Sequence, residues 1–330
     1  MLRRRLMRSH NGMQRMDSPP MRTIAPMGRT RTLLAGLCAT ALLVALTACG
    51  TSDQPDVDPD IARSYDVSAI HKDEALAAML PQSITKDGKL TIGSNLTYAP
   101  AEFLATDGRT PVGYEIDLAK ALANLFGLEL DVQNAPFESI IPAVGTKYDI
   151  GLSGFTVNNE RIEAVDFVTY AKAGLTFAVR KGNPAHASVN DLCGERISVQ
   201  VGTVGETEMY KAQDKCSAEG KKAIELLPYG GQNYVTTALV SGRVNMMYGD
   251  TPVIGYAVAQ TDDQLEIIGE DEGVAPMGMA IAKGDEATVQ AMKAALDKLI
   301  ADGTYTKIMD AWGVQNVMIK EPEINPRTDE

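Results

Sequence analysis

The sequence predicts an α/β protein of two lobes, with the first lobe interrupted by the second. From Lys89 onward short apolar runs alternate with helical patterns, as strands joined by crossover helices do. At Lys181-Gly182-Asn183-Pro184 a turn cluster marks a restart of that pattern. After Gly273 a further strand and two helices follow, and this terminal section reads as rejoining the first unit. A discontinuous lobe needs two crossing strands, and these make a hinge.

The elements are expected in this order. Residues 90–93 form a strand, and residues 117–126 an amphipathic helix with Leu118, Leu122, Ala123, Leu125 and Phe126 inward, ended by Gly127. Residues 128–132 form a strand, 138–144 a short helix, and 148–152 a strand running into Ser153-Gly154. Further strands are expected at 175–180, 196–201, 244–248 and 277–282. Helices are expected at 205–213, 234–240, 252–260, 285–301 and 305–312, the long one closed by Asp302-Gly303. Small ligands sit between such lobes, outside the carboxyl ends of the strands.

The N-terminus carries targeting information. An Arg-rich stretch leads into an apolar run at residues 33–46, too short to span a bilayer but suited to a signal-peptide core. It closes on Leu46-Thr47-Ala48-Cys49, which resembles the lipobox of bacterial lipoproteins, whose Cys is acylated and becomes the new N-terminus. The polar, acidic, Pro-containing run from Gly50 through Asp60 reads as a flexible tether. The expected map is a signal peptide (1–48), a lipid-anchored tether and N-terminal approach (49–84), lobe 1 (85–176 and 274–320), lobe 2 (177–273) and a C-terminal tail (321–330). The protein is therefore expected to be exported and anchored to the cell membrane, at the cell surface or in a periplasm.

Charge and cysteine usage agree with export. Residues 1–48 hold eight Arg and one acid, Asp17; the remainder has 23 basic against 42 acidic residues, a net charge of −19 against −12 for the whole chain. That balance argues against a nucleic-acid partner and for a soluble monomer. With Cys38 removed and Cys49 acylated, Cys193 and Cys216 are expected to pair as a disulfide, since no His lies near them to suggest a metal site.

Four blocks resemble family 3 of the bacterial extracellular solute-binding proteins, the polar amino acid receptors of ABC importers. They are Asn95-Leu96-Thr97-Tyr98-Ala99-Pro100-Ala101-Glu102-Phe103, Gly113-Tyr114-Glu115-Ile116-Asp117-Leu118-Ala119, Gly154-Phe155-Thr156-Val157-Asn158-Asn159-Glu160-Arg161 and Asp302-Gly303-Thr304-Tyr305. The resemblance implies the type II periplasmic binding protein fold, two Rossmann-like lobes joined by a two-strand hinge. It also implies capture of a free amino acid, delivery to an ABC permease and its ATPase, and no cofactor or metal.

A bound amino acid loses the hydration of a carboxylate and an ammonium, so the pocket needs one fixed Arg and one fixed acid. Arg161, whose planar fork matches a carboxylate, is expected as the clamp, with Thr156 and the backbone of Gly154 as companion donors. By family position Asp250 accepts from the ammonium, though Asp-Thr-Pro is also a good helix cap. By family position the Gly-rich turn after Gln200 offers Thr203 and the Val204 N–H, and Tyr98 and Phe137 stand where the family places the two walls that sandwich the ligand side chain. Asn95 stands where relatives that bind cationic side chains often carry an acid. Together with the uncharged Gln200 it points to an uncharged polar ligand such as glutamine.

Two other classes stay open. The same fold hosts exported dehydratases acting on cyclic carboxylates, which need a positioned general acid. An accessory ligand sensor feeding a partner receptor is the other. His10, His71 and His186 complete no catalytic or metal pattern.

Overall fold

A computed structural model describes residues 58–328. The signal-peptide core, Cys49 and the first part of the tether lie outside the described residues. The chain enters through three short helices, α1 (Pro59–Arg63), α2 (Glu74–Ala77) and α3 (Gln82–Thr85). The acidic run is not free as far as Asp60. Asp58 caps α1 through the Asp60 N–H and accepts the Thr106 N–H at 2.7 Å, and Asp60 accepts the Tyr256 hydroxyl at 3.1 Å. Buried Asp117 accepts from the Ser64 hydroxyl and the Tyr65 N–H. Carboxylates that composition alone assigns to solvent here find fixed donors.

Then follow β1 (Lys89–Ser94), β2 (Thr97–Tyr98), β3 (Glu102–Leu104), β4 (Pro111–Val112), α4 (Tyr114–Phe126), β5 (Glu129–Asn134), α5 (Phe137–Ile140), β6 (Ile150–Gly151) and α6 (Asn159–Ala164). Next come β7 (Val165–Arg180), β8 (Arg196–Gln200), α7 (Val204–Ala218), β9 (Glu225–Tyr229), α8 (Gln232–Val240), β10 (Met246–Asp250) and α9 (Thr251–Ala259). The chain closes with β11 (Leu265–Ala282), α10 (Glu286–Ala301) and α11 (Thr304–Ala311). Helix α4 stops where the sequence indicates: Gly127 turns left-handed, with its N–H on the Ala123 and Asn124 carbonyls.

Eight strands run in the order β5-β1-β6-β11-β7-β10-β8-β9, and β2-β3-β4 form a small separate sheet. Pairing is parallel at both ends of the large sheet, while β7 and β11 run antiparallel through its middle from Val165/Ala282 to Arg180/Leu265. The sequence patterns show only the ends of these two strands, at 175–180 and 277–282. The other halves are masked by Asp166, Lys172 and Gly174 in β7 and by exposed Glu270, Asp271 and Glu272 in β11, where the register shifts. Edge strand β9 is also absent from the sequence reading, because Glu225 and Pro228 break its apolar run.

Two groups of buried side chains flank this strand pair. Leu90, Ile92, Leu122, Phe126 and Leu296 pack in one, with Ile140, Phe155 and Phe167 adjoining. Ile197, Val199, Met209 and Met246 pack in the other, with Val235 and Leu239 beside them. In this second group Cys193 and Cys216 form a disulfide with Cα atoms 5.5 Å apart. The C-terminal residues lie along β7: Thr169 and Glu323 exchange hydrogen bonds, and the Asn325 carboxamide receives the Phe167 N–H at 2.7 Å.

Candidate functional site

The polar residues expected at the ligand come from six elements that converge between the two groups of buried side chains. Tyr98 ends β2, Phe137 opens α5, Gly154 and Thr156 follow β6, Arg161 lies in α6, Thr203 and Val204 begin α7, and Asp250 ends β10. Together with Gly205 of the Gly-rich turn, and with Leu175 and Gly249, which the sequence reading did not single out, they line an enclosed space of about 10 Å³. That is about one water molecule, so an amino acid enters only if the walls part. Asn95 and Gln200 do not line it.

Arg161 is held in reach of both walls. The Asn158 side chain caps α6 by accepting the Arg161 N–H at 2.8 Å. The guanidinium donates to the Thr156 carbonyl at 2.8 Å and, across the cleft, to the Gly202 carbonyl at 3.0 Å. It stands 5.5 Å from the centroid of Phe137, which stacks on Phe155 at 4.8 Å. Within 4.0 Å it pairs with neither of its helix neighbours Glu160 and Glu163, and burial lowers its pKa against the pull of Asp250 and Glu160. Its donors rest on neutral carbonyls, which an anionic carboxylate can displace.

Asp250 lies opposite. It is the N-cap of α9 by position, yet its side chain makes no capping bond. Instead it accepts the Tyr98 hydroxyl at 2.5 Å, a bond between β10 and β2 across the cleft. Burial pushes its pKa up to about 6, against the opposing pull of the Tyr98 hydrogen bond and of Arg161. At neutral pH it is therefore largely a carboxylate, in a place where an ammonium would relieve its desolvation.

Two turns frame the space, and both need glycine. Gly154 has φ +57°, and a Cβ there would press the Tyr98 ring at 3.2 Å. Gly202 has φ +78°, and a Cβ would meet the Cβ of Glu138 at 2.9 Å, so its absence lets the opposite wall approach. The Gly154 N–H, expected as a carboxylate donor, points instead at the Glu115 carboxylate at 3.0 and 3.2 Å. Thr203 is a helix cap: its hydroxyl accepts the Glu206 N–H at 3.1 Å and donates to the Gln200 carbonyl at 2.8 Å. Both groups therefore have partners within the protein, the Glu115 carboxylate for the Gly154 N–H and the α7 cap for the Thr203 hydroxyl.

Behind the space lies a buried polar layer. The Asn95 carboxamide donates to the Ala135 carbonyl at 2.9 Å, and its oxygen receives Thr97 Oγ1 at 2.5 Å and Gln200 Nε2 at 3.4 Å. Gln200 Oε1 and Gln232 Nε2 are buried without partners. Gln232 was missed, as were Glu102 and Glu115. The signal for the two acids was available: each is a carboxylate inside an otherwise apolar stretch of a recognised block. Outside, Thr156, Leu175, Val204 and Asp250 also border an open groove of about 670 Å³ lined by Glu208, Glu272 and Arg327.

The family model of bacterial extracellular solute-binding proteins, family 3, matches residues 90–315. The arginine-binding protein ArgT of Corynebacterium glutamicum is 36% identical over 253 residues, covering 76% of this chain and 82% of that protein. Among solved structures, an ancestral arginine-binding protein bound to arginine is similar with a TM-score of 0.63 and 32% identity, over 68% of this chain and 98% of that one. The ancestral amino acid-binding protein AncCDT-1, described as a precursor of cyclohexadienyl dehydratase, is similar at the same TM-score and identity, over 70% of this chain and 98% of that one. The shared architecture is that of the type II periplasmic binding proteins, and the chain belongs to family 3 of the bacterial extracellular solute-binding proteins.

Proposed function

We propose that this protein is the lipid-anchored receptor of an ABC importer and captures a free amino acid, arginine first among the candidates. The observation that carries the reading is the opposition of Arg161 and Asp250 across one enclosed space, a cation and an anion spaced by aromatic walls. The α-carboxylate replaces the carbonyls on the Arg161 guanidinium, and the ammonium replaces the Tyr98 hydroxyl on Asp250. Each ion then exchanges water for a fixed opposite charge, which offsets its desolvation.

Capture is a hinge motion. With the walls apart, Tyr98, Phe137 and Arg161 present one face of the cleft. Closure adds Asp250 and the turn from Val201 to Gly205, with β7 and β11 as the strands that bend. Neither face alone answers both charges of the ligand, so bound ligand adds to the bonds that already hold the closed form, Tyr98 to Asp250 and Arg161 to Gly202.

The side-chain end decides between ligands. The Gln200 Oε1 atom, buried behind the space without a partner, suits the amide of glutamine. It equally suits an N–H of a guanidinium, and the Glu102–Glu115 pair beneath the Ser153–Gly154 turn adds negative charge that favours a cation. The arginine-binding relatives tip the choice to arginine. Acylation of Cys49 after removal of residues 1–48, and docking on a permease and its ATPase, belong to the same proposal.

Titration calorimetry of the purified protein with L-arginine, L-glutamine and L-lysine tests it, with arginine expected to bind most tightly. A second reading, dehydration of a cyclic carboxylate, has Asp250 in its favour, because an acid with a pKa of about 6 can donate a proton. Consumption of such a carboxylate, with no amino acid bound, would replace the receptor by the enzyme.

A further inference from the structure

Glu102 on β3 and Glu115 in the first turn of α4 are both fully buried. Among the described residues no Lys, Arg or His bonds to either. The titratable groups that face the pair are Tyr98 on β2, Tyr114 on α4, Tyr170 on β7 and Asp250 on β10, all neutral or acidic. Two carboxylates in such a place cannot both be charged.

The hydrogen bonds say where the proton sits. Glu102 Oε1 accepts the Ser153 hydroxyl at 2.7 Å. Glu115 accepts the Gly154 N–H and the Tyr170 hydroxyl. Four carboxyl oxygens thus meet three donors, and the oxygen left over is Glu102 Oε2. A proton there, donated to Glu115, completes the set. Burial and the neighbouring Glu115 hold Glu102 well above the usual carboxylate range. Burial likewise pushes Glu115 up to about 7, against the hydrogen bonds from Tyr170, Glu102 and Gly154.

We propose that Glu102 and Glu115 are a positioning pair: joined by one shared proton, they hold the Ser153–Gly154 turn in the shape that receives the ligand. Each carboxyl holds one residue of that turn. The Asn95 N–H bonds to Ser153 Oγ at 3.0 Å, so the end of β1 is held by the same chain of bonds. Gly154 lines the enclosed space beside Tyr98, the partner of Asp250, so close that a Cβ on it would press the ring. The positioning half of this inference rests on the function proposed above; the shared proton is a property of the fold alone.

Three measurements on wild type, Glu102→Gln and Glu102→Leu test it. First, infrared spectra at pH 8 are expected to show the carbonyl band of a protonated carboxyl in wild type and not in Glu102→Gln. Second, the folded wild type holds a proton that its unfolded chain lacks above pH 5. Its unfolding constant is therefore expected to fall more steeply from pH 8 to 5 than that of Glu102→Gln, by about tenfold per unit where Glu115 stays ionised in both, because the amide carries no titrating proton. Third, Glu102→Leu strands the Ser153 hydroxyl and Glu115, and is expected to weaken arginine binding about tenfold or more, with Glu102→Gln recovering most of the loss.

No band and parallel pH profiles would overturn the shared proton. Equal affinities for the Leu and Gln variants would overturn the positioning role. If wild type binds no amino acid, the function proposed above falls, and the turn is read instead from hydrogen exchange of the Gly154 amide, expected faster in Glu102→Leu than in Glu102→Gln. If the Leu variant does not fold, Ser153→Ala takes its place, with the same expected weakening and the same exchange readout.

Discussion

The two turns that frame the cleft are held in opposite ways. The turn from Val201 to Gly205 supports itself: Thr203 caps α7 through the Glu206 N–H, and the Glu206 carboxylate accepts the Gly202 N–H at 2.7 Å, all within five residues. The turn at Ser153–Gly154 relies on partners far along the chain, with Glu102, Glu115 and Tyr170 beneath it and Asn95 beside it. Local support survives when the two faces separate, and long-range support makes a rigid platform. The difference suggests a division of work, with the first face as the fixed seat and the second as the moving cover.

The largest expected effect is on the fixed seat. Arg161→Ala leaves the ligand carboxylate buried without a partner and is expected to cost about 3–5 kcal/mol of binding, read by calorimetry. A loss as small as that from any surface Arg would break the assignment. On the cover, replacing Cys193 and Cys216 together by Ser opens the disulfide and is expected to lower folding stability by about 3 kcal/mol with affinity unchanged, since neither residue touches the cleft.

Asp250→Asn keeps the shape of the cover and removes its charge. It is expected to cost about 2 kcal/mol of amino acid binding, the loss of a charge-assisted hydrogen bond. The pH dependence has two signs. The folded pKa of about 6 lies above the ordinary 3.8, so protonation of Asp250 favours the fold, and that contribution is lost as pH rises through 6. The ligand ammonium needs the ionised form, so affinity is expected to fall as pH drops below about 6 while this contribution to stability rises. The smallest effect is Thr203→Ala, expected to lower stability by about 1 kcal/mol through the lost cap. An added loss of affinity well beyond that would return the Thr203 hydroxyl to the ligand.

The same division between local and distant support explains what could be read from the sequence. Caps, glycine stops and amphipathic helices are local, so α4, α10 and the Asn158 cap before Arg161 are legible from residues alone. The long middle strands are not. Their apolar alternation is broken by Lys172, Gly174 and the Glu270–Glu272 acids, and only the pairing of β7 with β11 shows that the chain runs straight through. Of the residues around the cleft, Tyr98, Gly154, Thr156 and Arg161 were legible through short blocks of sequence, whereas Phe137, Thr203, Val204 and Asp250 were named from the positions that the resemblance implies. What each polar group does there was less legible, because Gly154 and Glu115 are 39 residues apart, and their contact depends on the sheet that brings them together.

The most direct measurement compares three ligands: arginine, its decarboxylated amine agmatine, and its desamino analogue, each with wild type, Arg161→Ala and Asp250→Asn. Wild type is expected to prefer arginine over both by tenfold or more, on the order expected for an unpaired buried charge. Arg161→Ala should no longer distinguish arginine from agmatine, and Asp250→Asn should no longer distinguish it from the desamino compound. If both variants keep both preferences, Arg161 and Asp250 do not grip the two ends of an amino acid, and the account of this cleft is wrong.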